Sequence, residues 1–338
     1  MHFNKYFFIY TTSLLFLMVQ LACSNEFQLT EGAVDIPIVY GDISVTDTAT
    51  YIRLERAFVN ETTSAYELSK DPNMLYYQDA IVKIKHIKSG KDFLLKRVDG
   101  NLEGYKRDAG AFAEAPNYLY KINKKDLKLI PQDEYKLIIS KSDGAVLTEA
   151  SAVVLSELIE GDVEPKISSK LSFAYNIDFK VTWYPDLNAV IHDLTIHFHF
   201  DEEKNGKTEL KTVSWTAAKN FTDKALTGNG YPFTTKGRGF YEFMQGAMEK
   251  NPAIKRYFKS ATMEITSGSK EVKEYISYGQ VNLGITSSGE IPVYTNFSNN
   301  GRGLFYSTVK FKRTNIELAS QTLDSLRNGI FTKELNFQ

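Results

Sequence analysis

Two histidines one residue apart have the spacing best suited to metal chemistry. His197 and His199 alternate with apolar residues, so both lie on one face of a predicted strand. Two imidazoles at this spacing can share a metal ion, with His192 or Asp201 as a third ligand. The alternative is the polar face of an amphipathic strand, which the sequence favours because no Cys/His or acidic cluster elsewhere completes a site. We therefore predict no bound metal and no cofactor.

A second pair of residues has the spacing of a nucleophilic serine. Ser267 and Lys270 form a Ser-x-x-Lys motif, but the sequence lacks the Ser-Asp-Asn and Lys-Thr-Gly partners of that motif. It also lacks Gly-x-Ser-x-Gly and the nucleotide-binding fingerprints. His86 shares the parity of the apolar residues in its predicted strand, so it is interpreted as a structural histidine. These observations predict a protein that is not an enzyme.

Two arginines lie in glycine-flanked tripeptides. Arg238 lies between Gly237 and Gly239, and Arg302 lies between Gly301 and Gly303. A pair of arginine-bearing loops could bind an anionic ligand or partner, although solvated turn arginines are the simpler interpretation. Gly301 and Gly303 are predicted where the backbone needs positive φ or close approach.

The N-terminus predicts export and an anchor. Lys5 precedes an apolar stretch over residues 7–22, which is short for a membrane-spanning helix and ends at the cysteine at position 23. Leu-Ala-Cys resembles the end of a bacterial lipobox, so residues 1–22 are a predicted signal peptide and Cys23 is the predicted lipidation site. Ordinary cleavage with a free thiol is the alternative. Residues 23–33 are then a lipidated tether.

Composition predicts a β-rich protein without a nucleic-acid partner. The 338 residues carry a net charge of −1, so there is no basic excess for nucleic acid or anionic lipid. Twenty Tyr and 22 Phe against two Trp fit β-sheets with large cross-strand pairs. The chain is long enough for two domains.

Residues 34–160 are predicted to form an immunoglobulin/fibronectin-III-like β-sandwich. Residues 51–57 alternate, and the runs 80–87 and 91–98 end at turn signals. Leu129-Ile-Pro-Gln-Asp-Glu-Tyr135 resembles the tyrosine corner of such sandwiches, in which the tyrosine hydroxyl bonds back to the turn.

Residues 165–330 are predicted to form a second β-rich domain with a few short helices. The boundary follows Leu158, where acids, a glycine and Pro165 interrupt the pattern. Residues 172–183 and 194–200 alternate as strands. Helices are predicted near residues 237–250, 270–277 and 315–327.

Four features resemble a family of Bacteroidota outer-membrane lipoproteins that share a domain of unknown function and are often encoded beside TonB-dependent receptors. They are Cys23, the predicted first sandwich domain, the strand-then-helix of residues 263–275 and the segment Pro292 to Phe305 with its Asn-Gly-x-Gly motif. The resemblance implies a lipid-anchored protein of the outer membrane, exposed at the cell surface. Its implied partners are the bilayer and an outer-membrane barrel. Asp47-Thr48-Ala49 fits a short O-glycosylation pattern of exported Bacteroidota proteins, with Thr48 as the acceptor, although such a triplet also arises by chance.

Three functions remain open at this stage. The first is a docking module for an outer-membrane barrel, a TonB-dependent transporter, contacted through loops such as residues 299–303. The second is a surface lipoprotein that binds a glycan, a peptide or a metal chelate, and the third is an envelope hydrolase. An aromatic platform in a concave face would favour the second function. A Ser/His/Asp cluster in a cleft would favour the third, and an apolar patch without a pocket the first.

Overall fold

The computed structural model describes residues 36–57, 64–284 and 294–338. Cys23, the predicted signal peptide and the tether lie outside the described residues. Within these ranges no helix is long and apolar enough to cross a membrane. The described chain is mainly β, with three sheets and a few short helices, as the sequence predicts.

One eight-stranded sheet runs through the molecule. Its strand order is β12-β11-β14-β15-β1-β2-β6-β5, and its neighbours are antiparallel except for the parallel pair β1 and β15. The strands are β1 Ile36–Ile43, β2 Ala49–Ala57, β5 Lys96–Asp99, β6 Tyr118–Asn123, β11 Ile191–Lys204, β12 Lys207–Phe221, β14 Lys255–Gly268 and β15 Arg302–Ile316.

Within the described residues, two smaller sheets and five α-helices complete the fold. The four-stranded sheet contains β4 Asp92–Leu94, β3 Ile81–His86, β7 Glu134–Ser140 and β8 Val146–Val153, in that order. The three-stranded sheet contains β13 Tyr231–Lys236, β10 Asp178–Trp183 and β9 Val163–Glu164. The helices are α1 Ala65–Leu68, α2 Pro72–Leu75, α3 Arg238–Ala247, α4 Lys270–Gly284 and α5 Ser320–Asn328.

The first sandwich has the predicted immunoglobulin-like arrangement. Strands β1, β2, β6 and β5 pack against the four-stranded sheet, and their facing side chains form the first core. Tyr135 is 1% exposed, and its hydroxyl accepts a hydrogen bond from the backbone N–H of Ile130 at 3.1 Å. The tyrosine corner is therefore confirmed. His86 is buried against Tyr135 and bonds to Asp133 and Ser89, so its structural interpretation is also confirmed.

Two predicted strands are shorter than expected. Residues 91–98 form two strands in different sheets, β4 and β5, because the chain crosses from one sheet to the other at the buried Leu95. The strand predicted over residues 172–183 begins only at Asp178. A turn precedes it and leaves Ile177 exposed, so this part of the alternation was wrong.

Most residues of the first core precede the predicted boundary and most residues of the second core follow it, but the large sheet crosses the boundary and each core takes residues from both sides. The second core begins at Leu158, whereas the first core ends at Val154 and then adds Phe297 and Phe305 from the C-terminal part of the chain. Strand β15 is long enough to serve both, because Phe305 packs in the first core and Phe311 in the second.

The helix predicted over residues 315–327 is wrong at its start. Asn315 and Ile316 end β15, and Leu318 pairs with Leu171 in an isolated bridge. Ile316 and Leu318 are spaced two residues apart, which suits an extended chain as well as a helix, and packing in the second core selects the extended form. The helices predicted near residues 237–250 and 270–277 are present as α3 and α4.

Candidate functional site

One face of the eight-stranded sheet covers both cores, and a cleft lies on the opposite, open face. The cleft occupies about 310 Å³ above β15, β1 and β2. We call it the tyrosine cleft and define it by its side chains Tyr40, Asp42, Tyr51, Arg53, Tyr105 and Tyr306. Of these, Tyr40 is 41% exposed and Tyr105 is 50% exposed, so the aromatic rings face solvent.

Strand pairing sets the floor of the tyrosine cleft. Parallel pairing places Asp42 opposite Tyr306, and antiparallel pairing places Tyr40 opposite Arg53. Side chains alternate between the faces of a strand, so all four lie on the open face while their neighbours enter the first core. Residues 266 positions apart in the chain, Asp42 and Thr308, meet here through two hydrogen bonds.

A tyrosine pair forms one wall of the cleft. The rings of Tyr51 and Tyr105 lie 4.7 Å apart between centroids, tilted at 56°. The hydroxyl of Tyr51 donates to Glu103 at 3.1 Å, and Lys121 lies 5.5 Å from the centre of the Tyr51 ring. Lys121 also pairs with Glu103, so the Tyr51 ring is held by contacts on two sides.

The loop that carries Tyr105 is fixed from beneath. Asn117 is fully buried, and its side-chain amide donates to the carbonyl of Tyr105 at 2.7 Å. The N–H of Tyr105 donates to the carbonyl of Gly100 at 2.8 Å. A Cβ at Gly100 would meet Leu119 and Asn117, so glycine permits this close packing. The aromatic wall is therefore built before any ligand arrives.

Burial and charge change the pKa values of groups in the cleft. Burial raises the pKa of Asp42 to about 6, although hydrogen bonds from Thr308 oppose the shift. Burial also raises the pKa of Tyr306 to about 12, with the charges of Asp42 and Asp47 adding to it. Burial raises the pKa of Tyr40 as well, and Tyr275 of α4 contributes. Shifted groups gathered in a concave site are a recognised mark of function.

A second depression extends the cleft along the β1–β2 turn. It occupies about 390 Å³ and shares Asp47, Ala49, Tyr51 and Tyr105 with the tyrosine cleft. Glu103 and Thr48 also line it. The combined surface offers flat aromatic rings beside carboxylates and hydroxyls, which suits a ligand with an apolar face and many polar edges.

The predicted histidine pair lies elsewhere on the open face. His197 bonds to Ser214 at 2.7 Å, and His199 bonds to Thr212 at 2.8 Å and to Thr262 at 3.0 Å. Neighbouring hydroxyls thus occupy both ring nitrogens of His199. Burial lowers the pKa of His199, with His197 and Lys312 contributing. Among the described residues, no group of three or more His, Cys, Asp or Glu side chains could hold a metal ion.

The structure joins the predicted serine to a histidine, but not in a cleft. Ser267 bonds to His192 at 2.9 Å, and the two residues are 0% and 1% exposed. Burial lowers the pKa of His192 to about 3. Lys270 follows at the start of α4, two residues beyond the end of β14 at Gly268. Both side chains of this pair are therefore buried and neither faces solvent.

The two predicted arginines lie beside different cores. Arg238 pairs with Glu242 at 2.8 Å and lies over the ring of Phe331, beside the second core. Arg302 begins β15 beside the first core, pairing in register with Ile38. They therefore do not form one anion site.

The glycines around Arg302 behave as predicted. Gly303 has a φ of 116°, and a Cβ there would meet the backbone of Val39. At Gly301 a Cβ would meet Thr148. Both glycines thus serve close approach of the chain.

Thr48 is exposed in the β1–β2 turn, beside the cleft, and its glycosylation stays a prediction. Lipidation of Cys23 also stays a prediction, since Cys23 lies outside the described residues. The sequence did not predict the tyrosine cleft. The sequence did show that Tyr51 and Arg53 alternate with Ile52 and Leu54 and so lie on the opposite face of the strand. Nothing in the sequence placed Tyr306 beside that face.

Comparison with known proteins adds little. No protein-family model and no curated protein matches the chain. A crystal structure of the C-terminal globular domain of an oligosaccharyltransferase from Pyrococcus abyssi is similar, with 11% identity over 67% of this chain and a TM-score of 0.26. The match covers 45% of that structure's chain, and at this TM-score it carries no argument.

Proposed function

We propose that this protein is a lipid-anchored cell-envelope module that binds a glycan in the tyrosine cleft. The pair of Tyr51 and Tyr105 beside Asp42, Asp47 and Arg53 is the observation that carries the proposal. A sugar ring has a C–H face that packs on an aromatic ring, and its edges carry hydroxyls that bond to carboxylates and guanidinium groups.

The position of the cleft favours a glycan over the other ligands in the sequence-based alternative. A peptide that adds a strand needs a free sheet edge, whereas this cleft lies above β15, β1 and β2 inside the sheet, whose backbone groups are already paired. A metal chelate held through its ion would need a ligand cluster, which the described residues do not contain. A glycan needs neither feature.

Binding to soluble oligosaccharides tests this proposal. The mature chain without Cys23 is screened against a glycan panel, and hits are measured by calorimetry. Removing Tyr51 and Tyr105 together, as a double alanine variant, should weaken binding about 10- to 100-fold, since each aromatic contact contributes about 1 kcal/mol. Tyr257→Ala is the matched control, because Tyr257 is 38% exposed on β14, outside the cleft. Equal binding by the double variant would place the ligand elsewhere.

The anchor is part of the same proposal. Cys23→Ala should release the protein from the membrane fraction without unfolding it, because the described fold begins at Ile36. Mass spectrometry of the wild type should show acyl chains on Cys23. Recovery of the wild type in the soluble fraction without acyl mass would contradict the anchor. Added protease should reach the protein in intact cells if it lies on the outer surface of the outer membrane.

Docking on an outer-membrane barrel is a second candidate, favoured by the position of the loop at residues 299–303. Arg302 is paired with Ile38 near the start of β1, so the loop lies at the end of the first sandwich where the predicted tether enters. The β1–β2 turn beside the cleft lies about 26 Å away, the length of an eight-residue strand. The same molecule could therefore contact a TonB-dependent barrel near the membrane and bind a glycan farther out.

Site-specific crosslinking in cells tests the docking candidate. A photo-crosslinker at Asn300 should capture a barrel, whereas one at Asn205 in the β11–β12 turn should not. Crosslinks from Asn300 to periplasmic soluble proteins alone would contradict both the partner and the surface location.

A further inference from the structure

We propose that the open end of the first sandwich holds a second binding site, which takes a free long-chain carboxylate. The site is a cavity of about 630 Å³, which we call the lysine pocket. Its lining combines apolar side chains with three lysines: Val45, Ala49, Leu127 and Leu129, and Lys124, Lys125 and Lys128. This volume is in the range of small-molecule sites.

Two chain segments form the walls of the lysine pocket. One is the β1–β2 turn with the start of β2, over residues 44–50, and the other is the loop after β6, over residues 124–129. The N–H of Lys124 donates to the carbonyl of Thr48 at 2.9 Å, and its ammonium donates to the carbonyl of Val45 at 2.6 Å. These bonds tie the walls together along one edge and leave the cavity between them.

The apolar floor is continuous with the first core. Leu127 is 2% exposed, and its N–H donates to the carbonyl of Asn123 at 3.1 Å, which turns the loop inward. Val45 and Leu129 pack against the same core while also lining the pocket. An apolar ligand body placed here would leave water in the same way as a core side chain.

The rim of the pocket is cationic. Lys125 and Lys128 are exposed, and among the described residues neither has an ion pair. Asp47 is the one acidic side chain of the lining, against three lysines. A cationic rim around an apolar floor is complementary to an anion with an apolar body. A carboxylate with a hydrocarbon chain has both parts.

The position in the fold favours a free ligand over a membrane lipid. The pocket opens beside the end of β1, about 26 Å along the strand from the end where the predicted tether enters. The tyrosine cleft lies on the other side of the β1–β2 turn, and Asp47, Thr48 and Ala49 separate the two sites. A ligand in one need not occupy the other.

Calorimetry with the mature protein and dodecanoate, below its micelle concentration, tests the proposal. Dodecanoate should bind at one site, and shortening the chain should weaken binding by up to about fourfold for each methylene removed. Dodecanol should bind at least tenfold more weakly than dodecanoate, and acetate should not bind. Vesicles of anionic phospholipid should not compete for the site.

Variants of the rim separate this site from the cleft. Lys125→Glu combined with Lys128→Glu should weaken dodecanoate binding at least tenfold. Lys180→Glu combined with Lys224→Glu makes the same charge change at two exposed positions in the predicted second domain. This control variant should bind dodecanoate as the wild type does. The double alanine variant of Tyr51 and Tyr105 should also bind dodecanoate normally. Equal binding of dodecanol, loss of binding in the cleft variant, or unchanged binding in the rim variant would each overturn the proposal.

Discussion

The two halves of the eight-stranded sheet are buried on the same face but differ on the open face. Over the first core, the open face carries the tyrosine cleft. Over the second core, it carries histidines and hydroxyls that bond to one another across β11, β12 and β14. Both halves follow the same alternation, so the strand pattern alone does not create the cleft.

The difference comes from the loop that stands over the strands. Tyr105, held by Asn117, rises beside β2 and turns a flat face into a concave one. In contrast, β11 and β12 are joined by a tight turn at Asn205 and Gly206. A sheet face thus becomes concave when a rigid loop closes one side of it.

The largest expected effect is on the stability of the first core. Tyr135→Ala should lower the free energy of unfolding by about 3–5 kcal/mol, because a buried ring and its hydrogen bond are lost. Tyr135→Phe should lower it by about 1 kcal/mol. Both tryptophans, Trp183 and Trp215, pack in the second core. The midpoint of unfolding followed by tryptophan fluorescence should therefore shift less than the midpoint followed by the near-UV signal of the tyrosines. Equal shifts would mean that the shared sheet unfolds as one unit.

Acid should destabilise the second core through His192. Burial holds its pKa at about 3 in the folded state, below the ordinary value of 6.5. The unfolded chain therefore binds the proton more readily, and stability falls as the pH drops below 6.5. The free energy of unfolding should fall by about 3 kcal/mol by pH 4. Unfolding followed by the fluorescence of Trp183 at several pH values measures this loss. His192→Phe should flatten this pH dependence, and an unchanged slope would contradict the assignment.

The open face above the first core should respond to pH in the opposite direction through Asp42. Burial raises its folded pKa to about 6 from the ordinary 3.8, so the folded state binds the proton more readily. Its favourable contribution is present below pH 3.8 and is lost as the pH rises through 6. Asp42→Asn should therefore stabilise the protein by up to about 3 kcal/mol at pH 7 and by less than about 1 kcal/mol at pH 4. Urea unfolding at the two pH values measures this, and equal effects at both would count against it.

The smallest expected effect concerns the open face of the second half. Zinc should show no stoichiometric binding, because the ring nitrogens of His199 already bond to Thr212 and Thr262. Replacing His197 and His199 with alanine should leave glycan binding in the cleft unchanged. A stoichiometric metal that this variant loses would show that both halves of the open face carry sites.

Local pattern predicted much of the fold. The alternation of Ile52 and Leu54, and of Leu194 to Phe200, correctly identified buried faces. The proline-to-tyrosine spacing ending at Tyr135 correctly identified the corner of the first sandwich. The same reasoning failed at two places. Ile177 has the two-residue spacing of a strand but lies in a turn, and Ile316 was assigned to a helix but ends strand β15.

The sequence alone determined the features that depend on residues close together in the chain. These are the buried faces of the strands, the tyrosine corner, and the helices α3 and α4. What only the tertiary structure decided are features set by distant pairing. Strand β15 contributes to both cores and pairs in parallel with β1, which brings Tyr306 beside Asp42. The spacing of residues along the chain does not encode the contact between Tyr306 and Asp42. That contact depends on the pairing of β15 with β1, two strands far apart in sequence. The tyrosine cleft exists because of this long-range pairing and the loop fixed by Asn117.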